Sequence, residues 1–215
     1  MNKQQSEYLY KKMKADIRDN KLPVGCTLKQ EELSHRYQIS RSPIRDVLTR
    51  LKNEGWLATS GKRGVMVPAF CDKEAEDLYR MRMRLEPMLI PYVVKLISKQ
   101  TIGQAEDILR KIDSANSLSI DEHGALNWRF HACLYQTAER PTLFKAVAAL
   151  HEQCGRYIGF HTKNLDYKQT SQDEHYSLLK AIEHGNTSEA QRVLSTHISA
   201  AGKIITEYLR VLRQE

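Results

Sequence analysis

The sequence lacks any run of about 18 apolar residues, so no segment is long enough to cross a bilayer as a helix. Its N-terminus, MNKQQSEYLYKKMKADI, has no apolar core of the kind found in secretory signal peptides and reads instead as an amphipathic helix with Tyr8, Met13 and Ile17 on its apolar side. No two of its four cysteines form a CxxC pair, which gives no reason to expect a zinc ribbon or a redox motif. These absences favour a cytoplasmic protein with reduced thiols.

The basic side chains are unevenly distributed along the chain. The 215 residues include 33 basic and 26 acidic side chains, for a net charge of +7. Residues 1–70 hold 14 of the basic and 7 of the acidic ones, which leaves 19 of each in residues 71–215. The whole excess therefore lies in the first third, where it favours binding to phosphates. Charge alone does not distinguish DNA from RNA or anionic lipid.

Residues 40–52 have the pattern of a short helix with two different faces. Ile44, Val47, Leu48 and Leu51 fall at i, i+3, i+4 and i+7, which predicts an apolar stripe. A basic set falls on the other side: Arg41, Arg45, Thr49 and Lys52. Ser40 or Ser42 can cap this helix, and Pro43 suits its first turn.

A second short helix precedes this one, and a hairpin bounded by Gly61 and Gly64 follows it, carrying Lys62 and Arg63. A small helix that is packed by one face and basic on the other, beside a basic hairpin, fits a DNA major groove with a wing alongside. The alternative is a solvated basic helix on an ordinary domain.

The segment from Leu28 to Val67 resembles the winged helix-turn-helix of the GntR family of bacterial transcription regulators. Three phrases carry the resemblance: PVGCTLKQEEL (23–33), ISRSPIRDVLTRL (39–51) and GWLATSGKRGV (55–65). The resemblance implies that Ser40, Arg41, Ser42 and Arg45 contact DNA. It also implies a wing whose glycine is Gly64 or Gly61, with Lys62 and Arg63 at the tip. Glu31 departs from relatives that have a DNA-contacting arginine there, so phosphate contact from the preceding helix is weaker or comes from Lys29.

From Asp72 onward the sequence has helical periodicity throughout, which predicts a second domain built as a helical bundle. We expect a mostly α protein with a winged helix-turn-helix in residues 1–70 and an all-α bundle in residues 71–215. The predicted helices, separated by Gly103, Pro141, Gly185 and a loop at 113–121, cover residues 73–99, 102–116, 121–138, 142–162, 171–184 and 187–212.

Three of the eight histidines fall on apolar faces of separate predicted helices. They are His131, His175 and His197. A single histidine on such a face is usually a satisfied core residue, but three buried imidazoles with no shared partner are costly. A divalent metal ion would satisfy them together through neutral nitrogen ligands. The other five, His35, His123, His151, His161 and His184, are interpreted as loop or helix-surface residues without a role.

The runs NWRFH (127–131), DEHYSLLKAIEHGN (173–186) and AQRVLSTH (190–197) resemble the FCD ligand-binding domain that follows many GntR winged helices, in its shorter six-helix branch. The resemblance implies metal ligands at positions 127, 131, 175 and 197. Asn127 stands where the family usually has aspartate, and it offers a neutral, weaker oxygen. Three imidazoles with a weak oxygen favour zinc or nickel.

The segment DLYRMRMRLEPM (77–88) resembles the first helix of that domain, whose pocket arginine corresponds to Arg82. The family's pocket takes small organic acids near the metal, so the resemblance implies that Arg82 binds an effector carboxylate through its planar fork. The alternative is a surface arginine, because Arg80, Arg82 and Arg84 spread around a helix.

These patterns favour a metabolite-responsive transcription regulator that binds a palindromic DNA operator as a homodimer and carries no catalytic residues. Two other classes stay open. Three histidines with an open metal position also describe a metal-dependent hydrolase, which would turn over carboxylic esters. A purely structural metal bundle would keep tight DNA binding whatever small molecule is added.

Overall fold

The computed structural model describes residues 3–61, 64–114, 118–164 and 168–212. The chain divides into two compact units, Met1–Phe70 and Cys71–Glu215. The described residues include no helix that is both long and apolar enough to span a membrane.

The first unit consists of three helices and a small antiparallel sheet. The helices are α1 (Lys3–Arg18), α2 (Gln30–Tyr37) and α3 (Arg41–Asn53), and the strands are β1 (Thr27–Leu28), β2 (Ala58–Ser60) and β3 (Gly64–Met66). Strand β3 lies between β1 and β2 and pairs with both in antiparallel register. This is the architecture of a winged helix-turn-helix, with β2 and β3 forming the wing.

Helix α3 buries the predicted apolar stripe and exposes the predicted basic face. Ile44, Val47, Leu48 and Leu51 are buried in a cluster with Trp56. The turn before α3 places Gln38 in the left-handed region at φ 54°, and its backbone N–H donates to the Ser34 carbonyl. Ser40 is the N-cap residue of α3 by position, although its side chain makes no cap hydrogen bond.

Helix α1 packs against α3 in the same cluster. Leu9 and Met13 are fully buried, and Ile17 packs at the edge. The sequence interpretation that placed Tyr8 on the apolar side is wrong, because Tyr8 is 65% exposed and the adjacent Leu9 and Tyr10 fill the interior. Met13 and Ile17 lie on the predicted apolar side, and Leu9 occupies the place that was predicted for Tyr8.

The wing turn depends on two glycines in different ways. Gly61 adopts φ 58°, a left-handed conformation that side-chain-bearing residues rarely take. A Cβ at Gly64 would lie 2.8 Å from the Ser60 carbonyl oxygen, so only glycine fits opposite Ser60. Lys62 and Arg63, the predicted wing tip, lie outside the described residues.

The second unit is a bundle of α-helices interrupted by one 3₁₀ turn. Its helices are α4 (Asp72–Leu85), α5 (Ile90–Leu96), α6 (Lys99–Ser114), α7 (Ile120–Gln136), α8 (Pro141–Asn164), α9 (Lys168–Glu183) and α10 (Thr187–Leu212). The predicted fold class, a winged helix-turn-helix followed by an all-α bundle, is confirmed.

The single helix predicted over residues 73–99 is wrong, because a 3₁₀ turn at Glu86–Met88 separates α4 from α5. Pro87 and Pro91 lack the N–H groups that a continuous helix needs at those positions. Gly103 is not a boundary either. Helix α6 begins at Lys99, where the Ser98 hydroxyl accepts from the Thr101 backbone N–H. The predicted loop at 113–121 includes residues 115–117, which lie outside the described residues.

Helix α10 packs along both α4 and α9, and its close approach to α4 requires a glycine. A Cβ at Gly202 would lie 2.7 Å from the Cβ of Tyr79, inside van der Waals contact. The Tyr79 side chain on α4 therefore packs directly against the backbone of α10 at Gly202. The contact fixes the position of α10, the helix that carries His197.

We expect Gly202→Ala to lower the free energy of unfolding by about 1–3 kcal/mol, because the added methyl forces α4 and α10 apart in a packed core. The measurement is urea unfolding followed by circular dichroism. Gly103→Ala is the matched control, because a Cβ there meets nothing within 4 Å. The control should be neutral or stabilising by up to about 1 kcal/mol, since alanine is the better helix former. Equal effects at both positions would contradict the close-packing argument.

Candidate DNA interface and metal pocket

The exposed face of α3 presents the polar side chains predicted for a recognition helix. Arg41, Ser42, Arg45, Thr49 and Lys52 are all exposed. The Thr49 hydroxyl donates to the Arg45 backbone carbonyl and so is held against the helix. The buried stripe on the other face holds this helix in place, which leaves the basic face exposed.

A groove of about 440 Å³ runs between α3 and the wing strands. Arg45 and Lys52 line its α3 side, Gly64 lines its wing side, and Lys29 closes it at the start of α2. Three cationic side chains around one concavity concentrate positive potential where a phosphate backbone could pass. Lys29 pairs with Glu32 at 2.9 Å, and both side chains are well exposed, so this pair is weakly held.

Arg41 is engaged by an acidic residue in the DNA-free protein. Its Nη2 donates to Oε1 of Glu31 at 2.8 Å, across the turn between α2 and α3. The two side chains are 64% and 67% exposed, so the pair is screened by water and easily broken. The residue that departs from the family pattern, Glu31, therefore touches the first arginine assigned to DNA contact.

The bundle brings His131, His175 and His197 together from three helices. His131 lies on α7, His175 on α9 and His197 on α10, and all three are buried. One nitrogen from each ring lies within 4.8 Å of the others. The sequence prediction that these three imidazoles converge is thus met by the geometry.

The Nδ1 atom of His131 is fixed by a tyrosine. The Tyr135 hydroxyl donates its single proton to Oε2 of Glu86 at 2.6 Å, so it can only accept from Nδ1 of His131, which lies 3.2 Å away. His131 therefore carries its proton on Nδ1. Its Nε2 is buried and has no hydrogen-bond partner among the residues that the structure describes, so its lone pair is available to a ligand.

The other two imidazoles are oriented in the same sense. Nδ1 of His197 lies 2.8 Å from the Glu174 carboxylate, and Nδ1 of His175 lies 3.4 Å from Oε1 of Gln172. The Gln172 amide group donates to the Leu109 carbonyl, which fixes the direction of its oxygen toward His175. Such carboxylate and amide partners hold metal-binding histidines in the tautomer that leaves Nε2 unprotonated.

Burial keeps the imidazoles of His131 and His175 neutral. It lowers the pKa of His131 and of His175 well below the ordinary histidine value, and the nearby His197 ring adds to the effect. Neutral imidazole is the form that binds a metal ion, because a protonated nitrogen has no lone pair to offer. The buried and unpartnered Nε2 atoms of His131 and His175 therefore fit a cation better than they fit an apolar core.

A buried carboxylate, Glu86, connects the pocket to three helices. Its Oε1 accepts from Arg82 Nε at 2.6 Å and lies 3.1 Å from His151 Nε2. Burial alone would raise the pKa of Glu86, but attraction to Arg82 and then to His151 outweighs it and holds the pKa well below the ordinary value. The carboxylate is therefore ionised within the bundle.

Arg82 is buried, as a pocket arginine would be, whereas Arg80 and Arg84 are exposed. Its guanidinium already serves the protein, since Nε is bound to Glu86 and the group lies 5.1 Å from the Tyr79 ring centroid. A ligand carboxylate would have to approach the terminal nitrogens. The side chain is thus held in place by Glu86 before any ligand arrives.

The interpretation of His151 as a surface residue is wrong. His151 is buried on α8. Its ring centroid lies 5.6 Å from that of His131 and 4.4 Å from that of Trp128, whose ring plane is tilted by 35° from its own. Its place on the stripe that contains Val147 and Cys154 was a usable signal. Glu86, Tyr135, Gln172 and Glu174 were also missed. The contacts of Glu86 with Tyr135 and of Glu174 with His197 join different elements, but His131–Tyr135 and Gln172–His175 are one-turn pairs whose spacing was a usable signal.

Asn127 lies on α7 one turn before His131 and is partly exposed. The histidine cluster fits a divalent transition-metal ion of a kind that prefers imidazole ligands. The Nδ1 atoms are held by protein partners, and in the described residues the Nε2 atoms of His131 and His175 have none. The side chain of His161 lies outside the described residues.

Comparison with known proteins agrees with both units. Residues 5–67 match the family described as bacterial regulatory proteins, gntR family, and residues 77–200 match the FCD domain. The chain is 25% identical to the Nta operon transcriptional regulator of Aminobacter aminovorans, over 86% of this chain and 87% of that one. It is 20% identical to the transcriptional repressor RspR of Escherichia coli, over 98% of this chain and 91% of the relative. The structure of E. coli McbR/YncC superimposes with a TM-score of 0.78 at 18% identity, over 95% of this chain and 98% of that one.

A winged helix-turn-helix followed by a helical bundle with a buried histidine cluster defines a DNA-binding regulator with a ligand-binding domain. The chain belongs to the GntR family of bacterial transcription regulators, and its second unit is an FCD domain. It is a transcription regulator and not an enzyme, so the hydrolase alternative from the sequence finds no support.

We expect Glu31→Gln to tighten binding to operator DNA by about two- to fivefold. Arg41 would no longer have to break an ion pair before contacting the DNA, and one negative charge that repels the phosphates would be lost. Fluorescence anisotropy at fixed salt measures the change. Asp19→Asn removes the same charge from an exposed pair with Lys21 and serves as the control. An equal gain in both variants would mean that only net charge matters.

Glu86→Gln should lower the free energy of unfolding by about 3–5 kcal/mol, because Arg82 is left buried without a counter-charge. The pKa of Glu86 is lower folded than the unfolded value of about 4.3, so its contribution is present above that pH and is lost as the pH falls through the folded pKa. The difference between wild type and variant, measured by urea unfolding, should therefore narrow below about pH 4.

Glu106→Gln is the control for this effect, because it removes the same kind of pair, Glu106 with Arg110, from the surface. That change should cost less than about 1 kcal/mol. A Glu86 variant as stable as this control would contradict the role given to the buried pair.

Proposed function

We propose that this GntR regulator binds a palindromic operator as a homodimer. Its affinity for the operator would change when a small carboxylate enters a metal-containing pocket in the FCD domain. The observation that carries the proposal is the cluster of three imidazoles whose Nδ1 atoms are held by the protein. Such a cluster by itself would lower the folding stability of the protein, because a buried polar atom without a partner costs free energy.

The DNA-binding part of the proposal assigns one winged helix to each half-site. Base contacts would come from the exposed N-terminal part of α3, namely Ser40, Arg41, Ser42 and Arg45. The wing would contribute Lys62, Arg63 and Gly64, with the glycine allowing close approach of its backbone to the DNA. A twofold dimer matches a palindrome because each subunit presents the same surface to one half of the site.

Within the pocket, Nε2 atoms of His131, His175 and His197 would hold one divalent ion, with Asn127 adding at most a weak oxygen. Zinc fits best and nickel is acceptable, because neutral imidazoles suit these ions better than magnesium or calcium. When bound, the ion would supply an open position that attracts an oxygen of the effector. Small side-chain movements would suffice to bring nitrogens now within 4.8 Å of each other to about 2.1 Å from a common centre.

The effector would be an organic acid because the pocket combines a metal ion with Arg82 in a buried setting. Glu86 holds Arg82 and neutralises it in the absence of ligand, so a carboxylate must gain more from the metal than from the arginine alone. Arg82 would then contribute orientation through its terminal nitrogens. Regulation further requires that the effector bind two arrangements of the dimer unequally, since a ligand with equal affinity for both shifts nothing.

We expect Arg45→Ala to weaken specific operator binding by about 10- to 100-fold while the protein stays folded, because a bidentate arginine–guanine pair contributes about 1–3 kcal/mol. Arg41→Ala should act in the same direction. Binding to operator and to a scrambled duplex is compared at matched salt. Arg110→Ala is the control, because Arg110 is an exposed arginine of the FCD domain. Wild-type affinity and specificity in the Arg45 variant would rule out the assignment.

The metal assignment predicts saturable uptake of one zinc ion per chain by chelator-treated protein that carries no affinity tag. Isothermal titration and elemental analysis measure it. His175→Ala should abolish uptake, Asn127→Ala should change it little, and Asn127→Asp should tighten it because a carboxylate is the stronger ligand. His184→Ala is the control, because that histidine is exposed. Absence of saturable uptake in the wild-type chain would contradict the metal site.

A further inference from the structure

The side-chain amide of Gln172 uses its donors on helix α6. Gln172 lies one turn before His175 on α9 and is buried. Its amide nitrogen donates to the Leu109 carbonyl at 3.0 Å and to Oδ1 of Asp113 at 2.9 Å. A carbonyl and a carboxylate can only accept hydrogen bonds. The amide therefore cannot turn over without placing its own oxygen against two other oxygens.

The orientation of this amide determines which nitrogen of His175 carries the proton. The amide oxygen of Gln172 lies 3.4 Å from Nδ1 of His175, and because that oxygen can only accept, Nδ1 must donate. The Nε2 atom is then unprotonated, and it is buried without a hydrogen-bond partner in the described part of the chain. An amide turned the other way would donate to Nδ1, which would move the proton to Nε2 and close that nitrogen to a cation.

The contact between Gln172 and His175 is the longest of the three that orient the pocket imidazoles. The corresponding distances from Nδ1 are 2.8 Å at His197 and 3.2 Å at His131. A hydrogen bond weakens as it lengthens, so the contact at 3.4 Å contributes little by itself to the choice of tautomer. The preference of His175 therefore depends on the groups that hold the amide in place.

Asp113 is one of those groups, and both of its carboxylate oxygens are bound by side chains of α9. Oδ1 accepts from Gln172, and Oδ2 accepts from the Tyr176 hydroxyl at 2.6 Å. Burial and the hydrogen bond to Asp113 raise the pKa of Tyr176 to about 12, so the hydroxyl keeps the proton that it donates. Asp113 is exposed and lies in the last turn of α6. A residue at the surface is thus connected to a pocket histidine through a single buried side chain.

We propose that Asp113 is a positioning residue of the histidine pocket, which fixes the Gln172 amide and thereby keeps the Nε2 atom of His175 available to a cation. The inference rests on the proposed metal site for its purpose, but the tautomer of His175 can be measured without any metal. The alternative is that Asp113 only ties α6 to α9. Tyr176 separates the two roles, because its hydrogen bond contributes to the tie and does not orient the amide.

The first test measures the tautomer of His175 in the metal-free full chain, by long-range proton–nitrogen correlation spectra at about pH 7.5. Loss of signals in His175→Ala identifies the ring. We expect the wild type to carry the proton on Nδ1 and Asp113→Leu to show both tautomers. Asp113→Asn should keep the wild-type tautomer, because its side-chain oxygen can still accept from Gln172. Tyr176→Phe is the matched control and should keep it too.

The second test measures zinc affinity of the same variants by competition with a chromophoric chelator. Loss of a direct partner of a metal-binding histidine typically weakens metal binding by about 10- to 100-fold. Asp113 acts through one further residue, so Asp113→Leu should weaken it by about 3- to 10-fold. Asp113→Ala, which removes the carboxylate without adding bulk, should behave in the same way. Asp113→Asn and Tyr176→Phe should stay within about twofold of wild type, and circular dichroism checks that every variant is folded.

The outcomes separate this inference from the proposed metal site. An unchanged His175 tautomer in Asp113→Leu and Asp113→Ala would overturn the positioning role while leaving the metal site intact. Equal losses of zinc affinity in Asp113→Leu and Tyr176→Phe would reduce Asp113 to a tie between two helices and overturn it as well. A wild-type chain that takes up no zinc would overturn the metal site, and the tautomer of His175 would still decide the role of Asp113.

Discussion

An ionised carboxylate is stable inside a protein only when donors surround it, and the FCD domain is organised around one such group, Glu86. Arg82 reaches it from one turn earlier, and Tyr135 reaches it from α7. His151 approaches it from α8. The position of Tyr135 then determines which nitrogen of His131 carries the proton. The geometry of the histidine pocket thus depends on the Arg82–Glu86 ion pair, which reaches His131 through the Tyr135 hydroxyl.

The hydrogen bonds made by one nitrogen of each pocket histidine determine where its other nitrogen points. Their Nδ1 atoms are held by a hydroxyl, an amide oxygen and a carboxylate, each from a different residue. Burial lowers the pKa of His131 and His175, so these rings are neutral. In the described residues, the Nε2 atoms of His131 and His175 are buried without a hydrogen-bond partner, and a cation is the simplest shared partner for such acceptors.

In the winged helix, the two faces of α3 have different roles. Helix α3 uses Ile44, Val47 and Leu51 to bind the rest of its unit, so its opposite face must be the exposed one. That face is basic, and the groove between it and the wing is lined by lysine and arginine. The exposed ion pair of Arg41 with Glu31 partly offsets this positive charge.

The sequence by itself determined the two-faced helix α3 and the three histidines on separate apolar stripes, because a period of 3.6 residues is a property of the backbone alone. It did not reveal that Tyr8 points outward or that His151 is buried. Nor did it reveal that Glu86 contacts Tyr135 and His151, which are 49 and 65 residues away in the chain. The 3₁₀ turn at Glu86–Met88 had local signals in Pro87 and Pro91, but proline is tolerated near a helix start, so its effect depends on the packing around it. Which side chains meet across helices is decided by how the stripes pack together, and only the tertiary structure contains that information.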